Sequence, residues 1–179
     1  MLQLKARRIL FLDVDGVLNC TSDGRTGRSD VLRPALLRRL GALARSAAAS
    51  LVLSSSWRAY PGLVSRLRDA LQEVAGVEES AFVGMTGSDQ PPGGCEGRAK
   101  EIEAWLKVHM GNGGSEIGGP IESWCVIDDL PMGALPFLAG HFVRGDPRGG
   151  PSRYCCQGGR RAMRRGIGAA VVARKGEPG

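Results

Sequence analysis

Two aspartates one residue apart, Asp13 and Asp15, close the apolar run in "ILFLDVDGVLN" and are followed at once by Gly16. Carboxylates buried without partners are costly to desolvate, so their place at the end of an apolar strand points to chemistry rather than packing. On an extended segment residues two apart project to one side, which lets both carboxyl groups face a single reacting group. Gly16 permits a sharp exit that leaves backbone N–H groups free for an anion. A second acidic pair, Asp128 and Asp129, ends "SWCVIDD", and three hydroxyls, Ser54, Ser55 and Ser56, end "SLVLSSS". Four carboxylates at one edge repel unless some are protonated or a cation binds. An all-oxygen set of this kind suits Mg2+, which takes one or two carboxylates, waters and a substrate phosphate. Of two paired carboxylates, one can attack phosphorus to form an aspartyl-phosphate. The other can protonate the leaving oxygen and then activate water, while metal charge offsets the repulsion between nucleophile and phosphate.

The elements that must bring these residues together follow from hydrophobic runs and punctuation. Apolar runs at 9–14, 50–55, 80–85 and 123–128 read as buried parallel strands, with a fifth short strand at "HFVRG". Between them, Leu36, Leu37, Leu40 and Leu43 follow Pro34, and Leu63, Val64, Leu67, Leu71 and Val74 follow Pro61. Both sets have helical spacing behind a proline suited to a first turn. A third helix is expected over "GRAKEIEAWLKVH", flanked by glycine- and proline-rich loops at 87–97 and 110–120. Alternating strand and helix predict a Rossmann-like three-layer α/β sandwich around a central parallel sheet of about five strands. Its strands' carboxyl ends are where functional groups gather. The domain is expected over 1–146, with a glycine- and arginine-rich tail at 147–179 and one weak helix at 157–166.

Bulk properties narrow the class. The 179 residues are 42% hydrophobic and 23% charged, values typical of a single globular domain. The apolar run before Asp13 is too short for a signal segment or a membrane span, so an intracellular, cytoplasmic protein with no membrane association is expected. Five cysteines at 20, 95, 125, 155 and 156, without C-x-x-C spacing, suggest neither a disulfide framework nor a zinc site. A net charge of +6 is compatible with nucleic acid or another phosphorylated partner, and equally with a solvated basic surface. Trp57 and Trp105 read as packing residues, and neither His109 nor His141 is assigned a catalytic role.

"FLDVDGVLN" resembles the first motif of the haloacid dehalogenase-like (HAD) phosphohydrolases, and "LVLSSSWR", "RAKEIEAWL" and "CVIDD" resemble the remaining motifs in order. Together they are similar to the HAD branch described as Swiss-Army-knife RNA-repair-like, over about residues 8–146. The resemblance implies a Mg2+-dependent phosphatase. Asp13 would be the nucleophile, and Asp15 the general acid/base with its backbone carbonyl as a metal contact. Asp128 and Asp129 would complete the metal site. Ser54, or alternatively Ser55, would bind the transferring phosphoryl group, and Arg98 or Lys100 would be the positive clamp. Arg98 is favoured, as the residue just before the third helix. The tail "DPRGGPSRYCCQGG" supplies only part of the family's D-P-x-x-G-L stretch. HAD enzymes commonly choose substrates through an inserted cap. Here residues 20–30 offer only a short flap, and 59–97 are mostly consumed by one helix, one strand and a loop. The open site expected from this favours phosphate on something large, a nucleic-acid end or a phosphoprotein. The alternatives are a small-molecule phosphatase such as a nucleotidase, and a noncatalytic module binding RNA or a phosphorylated partner.

Overall fold

Each apolar run forms a strand: β1 (Arg7–Leu12), β2 (Ala49–Leu53), β3 (Phe82–Met85), β4 (Ile121–Asp128) and β5 (Phe142–Arg144). They make one parallel sheet in the order β3-β2-β1-β4-β5, in a computed structural model that describes residues 5–19, 31–87 and 94–145. The first two strands end earlier than the apolar runs suggest, whereas β3 and β4 end where their runs do. β1 stops at Leu12 and β2 at Leu53, so the polar residues beyond them leave the ladder and are free to turn inward.

Among the described residues three α-helices cover the sheet: α1 (Pro34–Ala47), α2 (Pro61–Glu73) and α3 (Gly94–Gly111). α1 and α2 begin with their prolines, whose missing N–H costs nothing at a helix start. Strand side chains alternate between faces, and the two cores separate accordingly. Leu10, Leu12, Leu51 and Leu53 pack against Leu36, Leu37, Leu40 and Leu43 of α1 and Leu67 and Leu71 of α2. On the other face Ile9, Phe11, Val52 and Val126 pack against Ala99, Ile102, Trp105 and Leu106 of α3. Full burial of a side chain such as Leu10 or Ile102 contributes about 1.5–3 kcal/mol.

The third helix corrects two expectations. It starts at Gly94, inside the segment expected to be a loop through 97, and its first turn carries Glu96, which suits the positive end of the helix dipole. Arg98 therefore lies within the helix, not before it. The helix also continues to Gly111, and Ser115–Ile117 forms a single 3-10 turn within the second expected loop. The expected flap at 20–30 and the tail at 147–179 with its helix at 157–166 lie outside the described residues. Cys95 is a free thiol, and among the described residues no helix is long and apolar enough to cross a membrane.

Candidate active site

Register builds the site. Leu12 pairs with Leu53 on one side and with Ile127 on the other, so the next residues, Asp13, Ser54 and Asp128, form one row across the middle of the sheet. The Asp13 amide donates to the Ile127 carbonyl at 3.0 Å and the Ser54 amide to the Leu12 carbonyl at 2.8 Å, which holds the row in place. Arg98 reaches it from α3. A single guanidinium nitrogen, Nη1, lies 3.2 Å from Asp13 Oδ1 and 3.1 Å from Asp128 Oδ2, and donates to the Ser54 carbonyl. All three charged groups are buried, with relative exposures of 4% for Asp13, 6% for Arg98 and 0% for Asp128.

Asp129 joins from the following turn, where carboxylate oxygens of Asp13, Asp128 and Asp129 lie within 4.8 Å of one another. Gly16 makes this approach possible. It has φ +71°, and a Cβ built there would lie 2.6 Å from the Asp129 carboxyl carbon, so any side chain would collide with the acid.

Asp15 stands in the turn after β1 rather than beside Asp13 on an extended strand. The Val14 carbonyl accepts from the amides of Val17, Leu18 and Asn19, which curls the chain tightly after the row. Within this curl the Asn19 side-chain oxygen accepts from the Gly16 amide at 2.9 Å while its amide nitrogen donates to Asp15 Oδ1 at 2.8 Å. Trp57 Nε1 donates to the same oxygen at 3.2 Å, and the exposed Ser56 hydroxyl is 3.5 Å from Oδ2. Asp15 is thus oriented by three donors from two loops.

Electrostatics follow from this crowding. Burial raises the Asp13 pKa, opposed by the Arg98 charge and by hydrogen bonds from the Ser55 hydroxyl and the Val14 amide. Burial, then the charge of Asp13, pushes Asp128 up to about 7. Asp129 is raised by burial and then by Asp15. Burial works against the charge of Arg98, but Asp13 and Asp128 more than offset it and hold the guanidinium above its ordinary value. Three carboxylates around one guanidinium retain two negative charges when ionised. An oxygen-only donor set with that deficit fits a divalent hard cation such as Mg2+, for which Asp13, Asp128 and Asp129 are the available side-chain ligands.

The expected residues divide by position. Asp13, Asp128, Asp129 and Arg98 come together, with Asp15 adjoining. Ser54 is buried in the row, its hydroxyl without a hydrogen-bond partner. Ser55 is buried too, and its hydroxyl is engaged by Asp13 and by the Trp57 amide it caps. Lys100 is exposed on α3, two residues from the buried Arg98. Sequence reasoning gives Asn19 and Trp57 no site role, and Ser56 only a place among the strand-end hydroxyls. The letters N and W in D-x-D-G-V-L-N and S-S-W-R were the available signal for two of them.

The five-stranded parallel sheet covered by helices is that of a Rossmann-like, HAD-like α/β domain. Within that class, residues 9–153 match the family model described as the HAD domain in Swiss Army Knife RNA repair proteins, and the chain belongs to that family. No curated protein and no solved structure matches it.

Proposed function

We propose that this protein is a Mg2+-dependent phosphatase that hydrolyses phosphomonoesters through an aspartyl-phosphate on Asp13. The observation that carries this reading is the single Arg98 nitrogen shared by Asp13 and Asp128 in a buried row, with a separately oriented carboxylate, Asp15, next to it. In a noncatalytic module the second carboxylate and its three donors have no task.

Arg98 holds one Asp13 oxygen, which orients the carboxylate for attack on phosphorus, and its charge favours the anionic nucleophile. Asp15 is set by Asn19 and Trp57 through Oδ1. Its other oxygen is then available to protonate the leaving oxygen and afterwards to take a proton from the hydrolytic water. The exposed Ser56 hydroxyl stands beside that oxygen and is a candidate phosphoryl contact alongside Ser54 and Ser55. Bound Mg2+ would neutralise the excess negative charge of Asp13, Asp128 and Asp129 and of the incoming phosphate. As phosphate clamp we favour Arg98 over Lys100, because Arg98 touches the nucleophile.

A macromolecular substrate, in particular a phosphorylated nucleic-acid end, is the favoured class. Two observations support it. Between β2 and α3 the described residues form one helix and one edge strand with no inserted cap domain, and the family is described from RNA repair proteins. Hydrolysis of an aryl phosphate tests the chemistry. Activity is expected with Mg2+ and lost with EDTA, in Asp13→Asn and in Asp15→Asn, and full activity in Asp13→Asn would falsify the covalent route.

A further inference from the structure

Arg58, in "LVLSSSWR", and Glu101, in "RAKEIEAWL", have no part in the chemistry above, yet they form the most buried ion pair outside the acidic row among the described residues. Arg58 Nη2 lies 2.7 Å from Glu101 Oε1, and each side chain is only 10% exposed. The other guanidinium nitrogen, Nη1, donates to the Ser55 carbonyl at 2.9 Å. One planar group therefore ties the turn after β2 to α3, which a guanidinium can do and a lysine ammonium cannot in the same geometry.

Both arms lead to Asp13. Ser55, whose carbonyl Arg58 holds, donates its hydroxyl to the Asp13 carboxylate. Glu101 stands three residues, one helical turn, after Arg98, whose Nη1 contacts Asp13 and the Ser54 carbonyl. Arg98 Nε and Glu101 Oε2 are both buried without a partner, so Arg98 is held at its tip alone and its stem has no polar anchor. What fixes the tip is the seating of α3 against the turn at Ser54–Ser55, and Arg58 adds a second polar link across that seam besides the Arg98 contact to the Ser54 carbonyl.

We propose that Arg58 and Glu101 are positioning residues that set Ser55 and Arg98 against Asp13, so that nucleophile geometry depends on an ion pair that does not touch the substrate. This rests on the phosphatase reading for its kinetic consequence, and has a second consequence independent of it.

The test uses the full chain with saturating Mg2+ and an aryl phosphate. Arg58→Lys and the milder Glu101→Gln should stay folded and lose kcat by about ten- to a hundredfold, with KM changed less than about twofold. The double variant should be no worse than the weaker single one, since either change opens the same link. Wild-type kcat in a folded Arg58→Lys or Glu101→Gln, or losses that multiply in the double variant, would overturn the proposal. Should the wild type hydrolyse no phosphate ester, the phosphatase reading fails alone, and the link is decided by thermal unfolding. Arg58→Gln combined with Asp13→Asn should then give a Tm change different from the sum of the singles, whereas simple additivity refutes coupling between the two sites.

Discussion

Asp128 shares a nitrogen of Arg98 with Asp13, and its pKa of about 7 makes the row sensitive to pH. A carboxylate whose folded pKa is raised keeps its proton in the native state while the unfolded chain has already lost it. Its contribution to stability therefore falls as pH rises from about 4 to about 7 and changes little above. Asp128→Asn should accordingly gain Tm relative to wild type across that window, and a flat difference would contradict the assignment. A metal must displace the same proton, so Mg2+ should raise the wild-type Tm more at pH 8 than at pH 5.5. Asp15 permits a separate check. Trp57→Phe keeps the buried ring but removes the Nε1 donor, and should lower kcat about tenfold while the Mg2+-induced Tm shift is retained. Equal loss of both would mean that Trp57 supports the whole row rather than Asp15.

At the scale of elements, α1 is capped by Ala48, a non-glycine residue with φ +49°, whose amide closes the last turn on the Ala44 and Arg45 carbonyls. Left-handed backbone costs an L-residue about 1–2 kcal/mol, part of which glycine returns as chain entropy in the unfolded state. Because Ala48 is exposed, Ala48→Gly should stabilise by about 0.5–1 kcal/mol, read as a Tm rise of roughly 1–4 °C. The same balance of local and distant effects explains what the sequence disclosed. Apolar runs ending in Asp13, Ser54 and Asp128 were legible because a parallel sheet in register turns three strand ends into one row. The start of α3 was not, since Gly94 and Gly97 weigh locally against a helix that packing of Ala99, Ile102 and Trp105 stabilises from outside the segment. The Arg58–Glu101 pair spans 43 residues and leaves no periodic trace. Nor did spacing disclose that Asp15 belongs to a curl after the strand, because Val14 accepts three amides there through backbone geometry alone.

For the whole molecule, the net charge of +6 stands opposite a negatively charged row, so long-range attraction of a polyanion and local binding of a cation are separable. If a nucleic-acid end is the substrate, KM for a phosphorylated oligonucleotide should rise about tenfold or more over a fourfold increase in salt, as expected for two or three phosphate contacts, while KM for an aryl phosphate barely changes. Parallel salt responses would favour the small-molecule alternative. The strand order β3-β2-β1-β4-β5 also bears on when the row comes into being. Asp13 is supplied with the first strand, Arg98 only with the third helix and Asp128 only at the end of the fourth strand. A chain that ends before β4 carries Asp13 without the second carboxylate that crowds it. Pairing of β4 with β1 and packing of α3 bring the second carboxylate and the guanidinium to Asp13 from far along the chain. A chain synthesised only as far as α3 therefore has Asp13 and Arg98 but not the row that Asp128 completes.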